Sequence, residues 1–109
     1  MELAPSGDDD EITVQVLKCE SCDLLAMGVY RESRHGRLDS ESWHHQGFVL
    51  EDESLEKLME AMLACTAPDD RRCGCTSHTT LAKKNWVAPE RSGFEVKKRF
   101  EMVWKREAI

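Results

Sequence analysis

The chain has 109 residues and a formal net charge of −6, with 40% hydrophobic and 33% charged residues. This length supports one domain with a modest core and excludes two independent cores. The composition is that of a globular protein and excludes both a membrane-embedded and a wholly disordered chain. Five cysteines stand out beside only six glycines and three prolines.

The first ten residues, MELAPSGDDD, show no apolar periodicity and end in three aspartates. We predict a flexible acidic leader over residues 1–10 and a single small domain over residues 11–109. The leader lacks a basic segment and an apolar stretch of signal-peptide length, and no uncharged run approaches the ~20 residues that span a bilayer. The expected location is cytoplasmic, without a membrane partner. Thiols stay reduced there, so cysteine patterns indicate metal or redox chemistry more often than disulfides.

Three strands are predicted before the middle of the chain. The run ITVQV that starts at Ile12 alternates β-branched and polar residues, which is typical of a strand. Leu24–Glu32 and Trp43–Leu50 are largely apolar and predict two more strands, although a short helix from Asp23 is an alternative for the first of them. Residues 33–42 between them are polar and contain a glycine, so we predict a loop that joins an antiparallel hairpin.

An amphipathic helix is predicted over Asp52–Thr66. Its apolar residues recur at helical spacing on one face, and they are Leu55, Leu58, Met59, Met62 and Leu63. Asp52 or Ser54 is expected to cap the first free amides. The predicted helix ends before the sequence APDD, which begins at residue 67. We expect the apolar face to pack on the sheet.

The last third of the chain predicts a turn and two further strands. A tight turn is predicted over residues 71–75, and a short strand is predicted within residues 79–87. A final strand is indicated by a period of two, broken only by Lys98, in the apolar residues Phe94, Val96, Phe100, Met102 and Trp104. The alternative is a helix that aligns Val96, Phe100, Val103 and Glu107, which is a weaker stripe. The predicted fold class is therefore α+β, a small antiparallel sheet with one amphipathic helix.

Four of the cysteines form two close pairs that suit a metal ion. Cys19 and Cys22 are separated by two residues directly after the first predicted strand, and Cys73 and Cys75 flank a single glycine. Two such pairs can supply the four thiolates of a tetrahedral zinc site. We predict a structural zinc ion held by these four cysteines, an arrangement that resembles a zinc ribbon joining two distant turns. His78, three residues beyond Cys75, is a substitute ligand.

The fifth cysteine and the first pair have other interpretations. Cys65 falls late in the predicted helix, and we predict that it is an ordinary buried thiol. A strand followed by C-x-x-C resembles the active site of thioredoxins and glutaredoxins, in which a helix N-terminus stabilises the first thiolate. The resemblance implies an alternative function, a thiol–disulfide oxidoreductase that uses Cys19 and Cys22.

Charge is distributed unevenly along the chain. Residues 1–70 carry 17 acidic and 5 basic side chains, and residues 71–109 carry 4 acidic and 10 basic ones, so their net charges are −12 and +6. This asymmetry predicts either two halves that fold against each other or a surface for an acidic partner. A nucleic-acid partner is a further alternative, because aromatic residues interleave with the basic residues Lys83, Lys84, Lys97, Lys98 and Arg99.

No arrangement of residues predicts catalysis, and no catalytic residue is assigned. The sequence contains no G-x-S-x-G, Walker, G-x-G-x-x-G or H-E-x-x-H motif. His44 and His45 are adjacent, so in a strand their rings point to opposite faces and cannot easily share an ion. A zinc ion with four protein ligands has no open coordination position. The expected function is that of a small cytoplasmic zinc-binding interaction module, an adaptor or regulatory subunit that binds a protein partner.

Overall fold

The computed structural model describes residues 1–4, 11–34 and 41–101. Within these ranges the chain forms one antiparallel sheet with the strand order β1-β2-β3-β4-β5, two α-helices and a 3₁₀ turn. The elements in chain order are β1 (Glu2–Leu3), β2 (Glu11–Lys18), β3 (Leu25–Arg34), β4 (Glu41–Leu50), α1 (Asp52–Leu63), α2 (Thr76–Ala82), the 3₁₀ turn (Pro89–Ser92) and β5 (Val96–Glu101). The predicted α+β class and small antiparallel sheet are confirmed, but the sheet carries two helices rather than one. Residues 5–10 of the predicted leader lie outside the described residues.

The start of the chain differs from the expected flexible leader. Glu2 and Leu3 form the short edge strand β1, which pairs with Thr13 and Ile12 of β2. Met1 and Leu3 are both buried in the hydrophobic core. Burial of two large side chains, rather than any periodicity in so short a segment, holds these residues on the sheet.

The sheet is built from two long hairpins in continuous register. β2 pairs with β3 from Glu11 opposite Glu32 to Lys18 opposite Leu25. β3 pairs in turn with β4, and the pairs run from Met27 to Arg34 of β3. The predicted strands are therefore confirmed, and the alternative of a helix beginning at Asp23 is wrong.

One face of the sheet carries the core. Its alternating side chains are Ile12, Val14, Met27, Val29, Phe48 and Leu50, all at most 3% exposed. Leu58 of α1 and Leu81 of α2 are buried in the same cluster, so both helices cover this face. The predicted packing of the amphipathic helix is thus confirmed for Leu55, Leu58 and Met62, whereas Leu63 of the predicted face is 81% exposed.

The start of α1 differs in detail from the expected capping. Glu51 occupies the N-cap position and makes no side-chain capping hydrogen bond. Ser54 is buried instead, and its hydroxyl oxygen accepts a hydrogen bond of 2.9 Å from the backbone N–H of Glu95. The serine therefore ties the first turn of the helix to the approach to β5.

A helix replaces the short strand predicted within residues 79–87. Residues 76–82 form α2, whose N-cap is Cys75. Beyond the helix, the indole N–H of Trp86 donates a hydrogen bond of 3.1 Å to the carbonyl of Leu81. Trp86 is 3% exposed and stacks on Phe94. Capping at one end and aromatic burial at the other stabilise this short helix, and these tertiary contacts override its weak intrinsic propensity.

β5 confirms the last predicted strand over Val96–Glu101, and its register is shifted once. Met102 and Trp104 of the prediction lie outside the described residues. Leu50 pairs with Val96, but Phe48 pairs with Arg99, so one extra residue of β5 is accommodated between them. The bulge brings Arg99 to the core side, where its guanidinium lies 5.7 Å from the ring of Phe48. Phe100 packs on the opposite face of the sheet, against the backbone of Gly47.

Candidate metal centre

The segment between the two helices delivers three cysteines and one histidine to one place. α1 ends at Leu63, three residues before the predicted end, so Cys65 lies beyond the helix. The N–H of Cys65 still donates to the carbonyl of Met62, which holds the thiol close to the helix end. Cys73 follows in the connecting loop, and its N–H donates to the carbonyl of Asp70 at 3.0 Å.

α2 supplies the other two members. Cys75 is the N-cap residue, and its sulfur accepts a hydrogen bond of 3.4 Å from the backbone N–H of His78. His78 lies in the first turn of the helix, so its imidazole returns toward the capping sulfur. Thr79 adds support, because its N–H and its hydroxyl both donate to the carbonyl of Cys75.

The ligand atoms of Cys65, Cys73, Cys75 and His78 all lie within 4.8 Å of one another. Nδ1 of His78 is 3.1 Å from the sulfur of Cys65 and 3.3 Å from the sulfur of Cys75. The sulfurs of Cys65 and Cys73 are 3.9 Å apart. Within the described ranges, these four residues are the group of histidine, cysteine, aspartate or glutamate side chains that could hold a metal ion.

These distances fit a four-coordinate ion. Zinc–sulfur and zinc–nitrogen bonds of about 2.3 and 2.05 Å in a tetrahedron place two sulfurs about 3.8 Å apart and a sulfur and a nitrogen about 3.6 Å apart. The three separations given above lie within about 0.5 Å of these values, and the other pairs of ligand atoms are no more than 4.8 Å apart. The four residues can therefore hold one metal ion with little rearrangement.

Burial gives the cluster a mostly dry environment. Cys65 and His78 are 7% and 3% exposed, whereas Cys73 and Cys75 are half-buried and pack against the hydrophobic core. Nε2 of His78 is buried and has no hydrogen-bond partner within the part of the chain that the structure describes. The ring therefore directs Nδ1, not Nε2, at the three sulfurs.

The electrostatics of the cluster differ between two of its thiols. The backbone N–H of His78, followed by its side chain, lowers the pKa of Cys75 from an ordinary value of 9.0 to about 6. Burial raises the pKa of Cys65. At neutral pH the metal-free cluster therefore holds a thiolate at Cys75 and a protonated thiol at Cys65, and a metal ion would displace the proton of Cys65.

The structure brings together Cys73, Cys75 and His78 of the predicted site, but it does not join Cys19 and Cys22 to them. Those two cysteines lie at the tip of the β2–β3 hairpin, just beyond Lys18. The loop that carries Cys73 is instead connected, through β1, to the N-terminal half of β2. Pro68 accepts a hydrogen bond from the N–H of Glu2, and Glu2 pairs with Thr13.

Strand geometry gives the reason for this separation. Thr13 and Lys18 are five residues apart on β2, which corresponds to about 17 Å along an antiparallel strand. The hairpin tip and the anchored start of the loop therefore lie toward opposite ends of β2. The close pair at Cys19 and Cys22 is therefore a local feature of its hairpin.

Cys65 is the member that sequence reasoning assigned to packing alone. It is buried in the core as predicted, but its sulfur also faces the other three ligand atoms. The available signal was spacing, because Cys65, Cys73, Cys75 and His78 fall within 14 consecutive residues. Extending the helix through Thr66 concealed that signal.

The adjacent histidines of β4 are not part of this cluster. His45 packs against Tyr30 on the neighbouring strand, with ring centroids 4.8 Å apart. His44 is exposed on the other side of the strand. Their opposite orientations follow the alternation predicted for a strand.

Several of the basic residues considered for a nucleic-acid partner contact groups within the chain. Lys97 forms an ion pair with Glu51 at 3.6 Å, and Arg99 forms one with Glu90. Lys84 donates to a backbone carbonyl of the 3₁₀ turn at 3.1 Å. The pair between Lys97 and Glu51 joins the basic and acidic halves of the sequence. Lys83 and Lys98 are exposed, and within the part of the chain that the structure describes neither shows such a contact.

Comparisons with known proteins add no identification. No protein-family model, no curated protein and no solved structure matches this chain. Among the described residues, no helix is both long enough and apolar enough to cross a membrane. The metal cluster is consequently the observation on which a functional proposal rests.

Proposed function

We propose that the protein is a small zinc-binding interaction module whose ion is held by Cys65, Cys73, Cys75 and His78. The convergence of these four ligand atoms within 4.8 Å carries the proposal. Three thiolates and an imidazole favour zinc over calcium and magnesium, which prefer oxygen ligands.

The proposed role of the ion is structural. Four protein ligands complete a tetrahedral shell and leave no open position for a water molecule or a substrate. The ion would cross-link the end of α1 to the start of α2, two elements that cover the same face of the sheet. For a domain with so small a core, such a cross-link contributes directly to folding.

Binding to a protein partner, as an adaptor or regulatory subunit, is the activity we propose for this module. Two large apolar side chains lie in solvent close to the elements that the ion would fix. Leu63 at the end of α1 is 81% exposed, and Val87 after α2 is 53% exposed. An ion that fixes the end of α1 would also fix the position of Leu63.

Zinc content tests the metal part of the proposal. Protein purified under reducing conditions should contain one zinc ion per chain by native mass spectrometry with elemental analysis. Cys65→Ser should lose the ion, and the matched control Cys19→Ser should retain it. Absence of zinc from the unmodified protein, or loss of zinc from Cys19→Ser but not from Cys65→Ser, would contradict this assignment.

Crosslinking and pull-down with matched baits test the interaction part. Ala64→Ser is the control for Leu63→Ser, because both residues are exposed at the end of α1. Zinc-loaded unmodified protein and Ala64→Ser should retain the same partner from the native host in a saturable manner. Leu63→Ser should retain less of it at equal zinc content. Equal retention by both variants, or no saturable partner, counts against the proposal.

A further inference from the structure

The loop between β2 and β3 presents a pair of thiols that the metal centre does not use. Cys19 is half-buried and Cys22 is exposed. Over residues 1–4, 11–34 and 41–101, no third histidine, cysteine, aspartate or glutamate side chain combines with this pair into a metal-binding group. Because a zinc ion takes four ligands, two thiols alone do not complete a site.

The hairpin loop is tightly closed around this pair. The N–H of Cys19 donates to the carbonyl of Leu24 at 2.8 Å, and the N–H of Asp23 donates to the carbonyl of Cys19 at 3.1 Å. Asp23 adopts a left-handed conformation with φ of 56°, which turns the chain back into β3. The closed loop fixes both cysteines on one short turn of exposed backbone.

The loop itself favours the thiolate form of Cys19. The side chain of Cys22, followed by the backbone N–H groups of Ser21 and Cys22, lowers the pKa of Cys19. A lowered pKa raises the fraction of the reactive thiolate, so Cys19 is the expected attacking sulfur.

We propose that Cys19 and Cys22 form a dithiol site that exchanges with an accessible disulfide, in which Cys19 attacks and Cys22 resolves. The site would work at the hairpin tip, apart from the metal centre. Two cysteines three residues apart on one tightly closed, exposed loop, with no further metal ligand in the described ranges, carry this inference. It goes beyond the proposed zinc-binding function and does not depend on it.

The exchange is balanced with glutathione disulfide as the oxidant. The Cys19 thiolate attacks one sulfur of glutathione disulfide, and the first glutathione thiolate leaves and takes up a proton. The Cys22 thiolate then attacks the Cys19 sulfur of the mixed disulfide and displaces the second glutathione, which also takes up a proton. Two protein thiols lose two electrons and two protons to form one disulfide, and one glutathione disulfide becomes two glutathione molecules.

Trypsin places the two groups of cysteines in different peptides, so one mass-spectrometric experiment measures the oxidation state of each group. Cleavage after Lys18 and Arg31 releases residues 19–31 with only Cys19 and Cys22, whereas the cluster cysteines lie in residues 58–71 and 73–83. The zinc-loaded full chain is equilibrated with a glutathione redox buffer, quenched with an alkylating reagent and digested. We expect residues 19–31 as an internal disulfide, formed at least about tenfold faster than any oxidation of the other two peptides.

Single-serine variants assign the two roles. Cys22→Ser should accumulate a mixed disulfide between glutathione and Cys19, and Cys19→Ser should react more slowly by about tenfold or more. Both variants lie on an exposed loop and should keep the stability of the unmodified protein, which thermal unfolding verifies.

Three results would overturn the proposal. Residues 19–31 could remain reduced in the redox buffer, or they could stop at the mixed disulfide in the unmodified protein. A second zinc ion per chain that disappears in both serine variants would instead assign the pair to metal binding. Because the 19–31 peptide is read separately, a protein without any zinc would refute the proposed metal centre and leave this test intact.

Discussion

Two regions of the molecule present groups of cysteines, and they differ in what surrounds the sulfurs. At the hairpin tip, Cys19 and Cys22 form a pair on an exposed loop. At the junction of the helices, Cys65 and His78 are buried and two further thiols converge on them. The comparison shows that close spacing in sequence brings two thiols together, whereas a metal site also requires further ligands and the exclusion of water.

The route to convergence is also different from the one expected. A site built from Cys19, Cys22, Cys73 and Cys75 would need two distant segments to meet. The observed group is local, because all its members lie between residues 65 and 78. A helix end, a connecting loop and a helix N-cap each contribute ligands. The strands set the position of this segment but supply no ligand themselves.

Removal of a ligand should separate the two regions most strongly. Cys65→Ser deletes a buried ligand, and we expect the free energy of unfolding of the zinc-loaded protein to fall by roughly 3 kcal/mol or more. Cys22→Ser changes an exposed loop residue, and its effect should stay within about 0.5 kcal/mol. Denaturant unfolding in the presence of equal zinc and reductant measures both values. Equal losses for the two variants would remove the distinction between the regions.

Acid should weaken the metal centre through its own thiols. Because the pKa of Cys65 is raised, zinc must displace its proton at neutral pH, so zinc affinity should fall at least about tenfold per pH unit below pH 7.5. The pKa of Cys75 is about 6, so the slope should steepen when the pH falls through that value and a second proton competes.

Competition with a chromophoric chelator at several pH values measures this dependence. Cys19→Ser should leave the slope unchanged, since the hairpin thiols do not bind the ion. In the metal-free protein, the lowered pKa of Cys75 contributes stability at high pH that is lost as the pH falls from 9.0 through about 6. A zinc affinity independent of pH would contradict thiolate ligation.

A smaller effect is expected from the support of α2. Trp86→Phe removes the indole hydrogen bond to the carbonyl of Leu81 and leaves a small cavity, so stability should fall by about 1–2 kcal/mol. Val87→Ala, at an exposed neighbouring position, should stay within about 0.5 kcal/mol. Thermal unfolding compares the two variants. A loss confined to Val87→Ala would show that the aromatic anchor does not stabilise the helix that carries His78.

The smallest predicted effect concerns the hairpin. Asp23→Gly and Asp23→Ala both remove the exposed ion pair with Lys18, but only glycine adopts the left-handed backbone without strain. The glycine variant should therefore be more stable than the alanine variant by about 1 kcal/mol. Denaturant unfolding of the pair tests this, and equal stabilities would place the loop in another conformation.

Local patterns predicted much of the fold, because they reflect forces that act between near neighbours. The alternation after Ile12 and the helical spacing around Leu58 correctly indicated a strand and an amphipathic helix. The edge strand at Leu3 and the helix at residues 76–82 could not be read in the same way. Burial and the contacts of Trp86, which join residues through the tertiary structure, stabilise those elements.

The candidate site was predictable only in part for the same reason. Cys73 and Cys75 were selected by their close spacing, and His78 by its position in the following turn. Cys65 has no close partner in sequence, and its role depends on where α1 stops. The one-turn difference between a helix that ends at Leu63 and one that extends to Thr66 decides whether this thiol can face the cluster.

X-ray absorption spectroscopy of the zinc-loaded protein tests the central claim most directly, because it identifies the atoms bound to the ion. The account predicts three sulfurs at about 2.3 Å and one nitrogen at about 2.0 Å. The same spectrum is expected from the double variant in which Cys19 and Cys22 are both replaced by serine. Four sulfurs in the unmodified protein, or the loss of sulfur ligands in the double variant, would contradict the assignment of Cys65, Cys73, Cys75 and His78.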